Sequence, residues 1–99
     1  MVKRFEVYMG VFNGVEKPCL IVSPDELNDV LPYALVAPVT TGQQILPTRV
    51  GIGLKGRKAY IALDLIQPVN QKDCLQKIGV LPEQLHTQIA DLLQKLFAY

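Results

Sequence analysis

Residues 17–26 read Lys17-Pro18-Cys19-Leu20-Ile21-Val22-Ser23-Pro24-Asp25-Glu26. Cys19 to Val22 is a short continuous apolar run, the pattern of a strand covered on both faces. The residues after it open a helical turn. Ser23 is placed to cap, Pro24 fits the first helical position, and Glu26 stands three residues after Ser23 as in a capping box. Pro32 closes that turn. Upstream, residues 5–12 alternate with β-formers and predict a strand, and Asn13-Gly14 is a strong turn signal.

Downstream, Tyr33 to Val39 reads as a central strand. Pro38 cannot donate to a ladder and is expected to end or bulge it. Thr40 to Gln44 is a polar loop, and Thr48 to Ile52 alternates as an edge-like strand. Lys55-Gly56-Arg57-Lys58 is a basic hairpin tip, from which Ala59 to Leu65 returns as a strand. Gln67 to Asp73 is polar and turn-like, and Cys74 to Val80 reads as a helical turn and a last strand. The clearest helix begins at Pro82-Glu83. Its apolar stripe is Leu85, Ile89, Leu92, Leu93, Leu96 and Phe97, with His86 on the polar, solvated side. Five or six short antiparallel strands before one amphipathic helix predict a mostly β, α+β fold: a small barrel or curled sheet with a packed helix.

The 99 residues fit a single domain over 1–99. Hydrophobic residues at 49% and charged residues at 19% exclude disorder for the whole chain. A domain this small gains from burying more surface in a dimer. The net charge of +1 does not indicate a strongly basic nucleic-acid binder; only a local patch serves that purpose. Two cysteines and one histidine make neither a disulfide framework nor a zinc pattern. No apolar signal region and no run near the roughly 20 residues of a membrane helix are visible. The expectation is a cytoplasmic protein with both thiols free and no membrane contact.

Four stretches carry a resemblance. They are Lys3-Arg4-Phe5-Glu6-Val7-Tyr8, the run Lys17 to Asn28, Val36-Ala37-Pro38-Val39-Thr40-Thr41 with Leu46-Pro47-Thr48-Arg49-Val50, and Leu63-Asp64-Leu65-Ile66-Gln67-Pro68-Val69. In this order they span nearly the whole chain, which resembles the MazF/PemK toxins of type II toxin–antitoxin systems, within the CcdB-like superfamily. The resemblance implies an SH3-like barrel with a C-terminal helix and a homodimer. It also implies ribonuclease activity without metal or other cofactor, and a cognate antitoxin whose disordered tail occupies the groove for single-stranded RNA.

The chain departs from the family pattern on the active-site face. The family's first loop is shortened to Asn13-Gly14-Val15-Glu16. The Arg of its Arg-Pro, which carries catalysis, is Lys17. The Gln and Arg of its Asp-Gln-Ile-Arg stretch are Leu65 and Gln67.

Metal-free RNA cleavage uses the 2′-hydroxyl as internal nucleophile. It needs a base, an acid for the leaving 5′-oxygen and cationic donors for the developing charge. With His86 the only histidine, a two-histidine site is excluded. The resemblance maps the family's catalytic pair onto Lys17 and Thr40. Lys17 can supply a cation and, once desolvated, a proton, though without the bidentate fork of Arg; its plain reading is a solvated charge before a strand. Thr40 can hydrogen-bond a phosphate oxygen, or simply cap a loop. Asp64, in an otherwise apolar strand, calls for a partner, with Arg49 or Lys17 as candidates. Thr41, Arg49, Asp64 and Gln67 complete the expected substrate-binding set. Arg49, Lys55, Arg57 and Lys58 form the one basic concentration, able to follow a phosphate backbone or to blunt a sheet edge. Phe12, beside the short loop, is the best candidate to stack a base, against a core role. Three other readings keep the fold: a catalytically degenerate module that binds an antitoxin or another protein, a gyrase-binding toxin like CcdB, and a plain dimeric scaffold component with no toxin role.

Overall fold

The computed structural model describes residues 1–41 and 46–97. Residues 42–44 of the expected Thr40–Gln44 loop, residue 45 and the last two residues therefore lie outside the described residues. The strands are β1 (Glu6–Phe12), β2 (Val15–Ile21), β3 (Tyr33–Thr40), β4 (Arg49–Leu54), β5 (Arg57–Ala62), β6 (Gln67–Asn70) and β7 (Cys74–Val80). The helices are α1 (Asp25–Asn28) and α2 (His86–Phe97), and 3-10 turns cover Leu63–Leu65, Gln71–Asp73 and Glu83–Leu85. All strand pairs are antiparallel, in the order β4-β5-β3-β2-β1-β7, with β6 also paired to β3. This curled sheet with a C-terminal helix is the mostly β fold expected from the sequence.

The helix docks by its apolar stripe. Ile89 is fully buried among Leu20, Ala37, Val50 and Ile61, and Leu85, Leu92 and Leu93 pack against the same cluster. Burying a side chain such as Ile89 contributes about 1.5–3 kcal/mol. Leu96 and Phe97, expected on the same stripe, stay exposed. A second cluster lies on the opposite face of β2 and β3 and includes Phe12, Cys19, Ile21, Val36 and Val69. The alternation within these two strands explains the pairing: Cys19 and Ile21 face one cluster, Leu20 the other. No helix among the described residues is long and apolar enough to cross a membrane.

Several local expectations are corrected. The capping box does not form, because the Ser23 hydroxyl instead donates to Asn28 Oδ1 at 2.5 Å and accepts from Leu35 N at 3.1 Å. Pro24 is the N-cap, not the first helical residue. Residues 67–70 form a strand rather than a turn, and Cys74–Val80 is strand throughout, after a 3-10 turn. His86 is not solvated. Its ring stacks on Phe5 at 3.9 Å, and its Nε2 lies 2.9 Å from the Leu81 carbonyl oxygen.

Pro38 neither ends nor bulges β3. Val22 N donates to Leu35 O, so residues 35, 37 and 39 turn their backbone groups toward β2. The nitrogen of Pro38 then points to the other edge. There β3 passes from β6, paired through Val36, to β5, paired from Val39. The missing donor falls in the gap between two partners, where a ladder bond is not required.

Candidate active site

Lys17 is not before a strand but inside β2, paired with Gly10 of β1. Asn13 and Gly14, with φ of 52° and 80°, form a two-residue turn that joins β1 to β2. Positive φ at both positions marks a type I′ turn, which suits Asn-Gly and extends the hairpin to its tip. That extension is why β2 begins at Val15.

On its other side β2 pairs with β3 only at Cys19, Leu20 and Ile21. Pro18 explains the limit. The same alternation that aims Val22 N at β3 aims the Pro18 nitrogen there, and proline has no hydrogen to donate. The ladder stops, and the two strands part around Lys17 and Thr40. The register that pairs Cys19 with Pro38 brings Lys17 to the position opposite Thr40, two residues further along.

Two hollows open at this parting. One, of about 410 Å³, is lined by Lys17, Pro18, Val39, Thr40, Thr41 and Leu54. The other, of about 380 Å³, has Lys17 and Thr40 in its wall, together with Phe12, Pro38, Leu65 and Gln67. Lys17 is exposed and joins no ion pair among the described residues. Thr40 Oγ1 is shut off from solvent without a hydrogen-bond partner among the described residues. A buried hydroxyl in that state costs free energy until a ligand atom or donor meets it. Phe12 is a core side chain by burial, yet it also lines the second hollow.

Four of the six expected site residues are thus brought together: Lys17, Thr40, Thr41 and Gln67. Arg49 and Asp64 lie outside both hollows and take each other as partners. Asp64 sits in the Leu63–Leu65 3-10 turn rather than in a strand. Arg49 Nε donates to Asp64 Oδ1 at 2.9 Å, Arg49 Nη2 to Oδ2 at 3.2 Å, and the Thr48 hydroxyl to Oδ1 at 3.1 Å. The Arg49 guanidinium holds the Asp64 carboxyl below its ordinary value, and the carboxylate in turn raises Arg49. Sequence reasoning passed over Leu54 and Pro38 as wall residues. The signal was present in the two prolines, whose missing donors mark where ladders stop.

The two thiols meet away from these hollows. Cys19 on β2 and Cys74 on β7 flank β1, and Gly10 between them has no side chain to keep them apart. Contact with Cys74 and burial push the Cys19 thiol up, while the Cys19 thiol lowers Cys74. Among the described residues no three His, Cys, Asp or Glu side chains gather as metal ligands would.

Comparison with known proteins agrees with this architecture. Residues 3–97 match the family model described as PemK-like, MazF-like toxin of type II toxin-antitoxin system. No curated protein matches the sequence. Among solved structures, the chain is similar to the Mycobacterium tuberculosis toxin MazF-mt6, with a TM-score of 0.83 and 23% identity over 93% of this chain and 95% of that one. It is also similar to an endoribonuclease in complex with its cognate antitoxin from a mycobacterial species, with a TM-score of 0.86 and 23% identity over 96% and 93% of the two chains. A chain of the MazE-MazF structure (Form-II) from Deinococcus radiodurans gives a TM-score of 0.83 and 18% identity, over 98% of this chain and 95% of that one. At such identities the likeness speaks for the fold.

Proposed function

Because the chain belongs to the PemK-like, MazF-like toxin family of type II toxin–antitoxin systems, we propose that it is a metal-independent endoribonuclease that cuts single-stranded RNA in the cytoplasm. The carrying observation is the pairing of an exposed cation, Lys17, with the buried and unpartnered Thr40 hydroxyl, in the walls of the same two hollows.

In this reading the scissile phosphate sits between the two side chains. The 2′-hydroxyl attacks the adjacent phosphorus and the bond to the 5′-oxygen breaks, which leaves a cyclic phosphate and a free 5′-hydroxyl. The hydroxyl's proton passes to solvent. Thr40 Oγ1 donates to a non-bridging oxygen and gains the partner it lacks. The Lys17 ammonium offsets the charge of the transition state and protonates the leaving oxygen. Thr41 and Gln67 shape the entrance. Arg49 and Asp64, locked together, fix the turn that presents Leu65 to the second hollow. The protein works as a homodimer, and a cognate antitoxin covers the groove. That two structural neighbours are complexes with antitoxins supports the latter.

Two observations favour a second reading, a binding module without catalysis. Lys17 lacks the fork of an arginine, and the rim is cut to the Asn13–Gly14 turn. One experiment separates them: purified protein in EDTA with a long single-stranded RNA, beside Lys17→Ala and Lys17→Arg. Cleavage that Lys17→Ala removes, with cyclic phosphate ends, is the expected result. Cleavage by Lys17→Arg alone would mean an intact site with a blunted cation. Silence of all three, from folded protein, would leave the binding module.

A further inference from the structure

The β4–β5 hairpin carries a surface that the cleavage site does not use. Ile52 and Leu54 of β4 pack toward the main core, so the opposite face of that strand presents Gly51 and Gly53. A hollow of about 570 Å³ lies at this bare backbone, lined by Gly51, Ile52, Gly53, Gly56, Arg57 and Lys58. Among the described residues its charged lining is Arg57 and Lys58, both cationic. At one end stands Tyr60, whose ring would lie 3.6 Å from a Cβ at Gly51. Lys58 Nζ is 5.7 Å from the centroid of that ring.

The register joins this trough to the candidate active site. Thr40 pairs with Tyr60, Tyr60 pairs with Gly51, and Thr40 shares both hollows of the candidate site with Lys17. Paired residues share a sheet face, so Thr40, Tyr60 and Gly51 make one row across β3, β5 and β4. Two strand spacings span roughly 10 Å. An aromatic ring, a floor without side chains and two cations suit a flat base followed by phosphates. A neutral partner would leave Arg57 and Lys58 unmatched.

We propose that this trough is a nucleotide subsite that carries the RNA strand beyond the scissile phosphate. Tyr60 stacks a base, Gly51 and Gly53 admit it, and Arg57 and Lys58 hold the phosphates. The inference rests on the ribonuclease reading above.

Gly53→Val is the decisive variant. A Cβ there meets nothing within 4 Å, and a β-branched residue suits a strand, so the protein folds while the trough fills. Steady-state cleavage of a long RNA is measured for the full chain, with affinity for a fluorescent twelve-nucleotide 2′-O-methyl RNA across a salt series. Gly53→Val is expected to raise KM about tenfold at unchanged kcat, since a distant binding contact is lost. Tyr60→Leu is expected to weaken the twelve-mer about tenfold. Replacing Arg57 and Lys58 together by Ala is expected to lower the slope of log K against log salt by about 1.4, for two phosphates on a single strand. Cleavage with KM and slope both kept in the variants would overturn the subsite alone. So would a fall in kcat at unchanged KM, or an altered oligomeric state of Gly53→Val by sedimentation. A wild type that binds but does not cut is judged on the affinity measurements. One that neither binds nor cuts RNA would overturn the ribonuclease reading together with the subsite.

Discussion

Arg49 grips Asp64 with two parallel hydrogen bonds, of 2.9 and 3.2 Å, and thereby ties the first residue of β4 to the turn that follows β5. The pair acts as one unit. Arg49→Ala and Asp64→Asn are each expected to lower the urea midpoint, and the double variant to lower it no further. The pH dependence has a definite sign. The folded Asp64 carboxyl titrates below its ordinary range, because Arg49 donates to it. Its contribution is therefore complete above the unfolded value of about 3.9 and is lost as pH falls through the lower folded value. The gap between wild type and Asp64→Asn should close on acidification, and a gap that widens would contradict the pair's role.

Thr40→Val separates stability from activity. The substitution keeps the shape of the side chain and removes a buried hydroxyl without a partner among the described residues. It is expected to stabilise the protein by about 1 kcal/mol in urea titration. In the proposed mechanism it should also slow cleavage about a hundredfold, the usual effect of losing one donor to a developing oxyanion. Loss of stability together with full activity would place the hydroxyl in a structural role.

Gly10 is a test of packing on the second core cluster. A Cβ there would lie 3.0 Å from Cys19 Sγ and 3.3 Å from a ring carbon of Phe12. Both neighbours are buried, so Gly10→Ala is expected to cost about 1–3 kcal/mol. Adding Cys19→Ala should return part of that loss. Thermal melts report it readily, since about 1 kcal/mol moves Tm by roughly 4–8 °C in a domain of this size.

Asn28 holds a polar knot under α1. It is fully buried, accepts from the Ser23 hydroxyl, and donates through Nδ2 to the Ser23 carbonyl at 2.9 Å. Asn28→Ala leaves the Ser23 groups without these partners and is expected to cost about 3 kcal/mol by denaturant titration. Asn28→Asp should cost more, because it buries a carboxylate beside a carbonyl oxygen.

The strands and the last helix were legible because their signals are local: alternation, the Asn13-Gly14 turn and a stripe at helical spacing. The failures came from competition over distance. Ser23 looked like a cap, yet its hydroxyl serves Leu35 and Asn28 across the fold. His86 fell on the polar side of the helical pattern, but Phe5 from the far end of the chain stacks on it. Residues 67–70 had no strand signature and pair because β3 offers an open edge. For the site, Lys17 and Thr40 were nameable only by resemblance. Their juxtaposition follows from the β2–β3 register, which no single stretch of sequence contains.

The Asn13–Gly14 turn has a kinetic consequence. A longer connection would have to find its bound form at each encounter, and that search would slow docking and consume binding free energy. Here the connection at the edge of the second hollow is two residues long and fixed by its turn geometry. In the proposed function it therefore adds little to the conformational entropy lost on association. Arrival is governed by diffusion and orientation, and the lifetime of the complex by the contacts made after arrival.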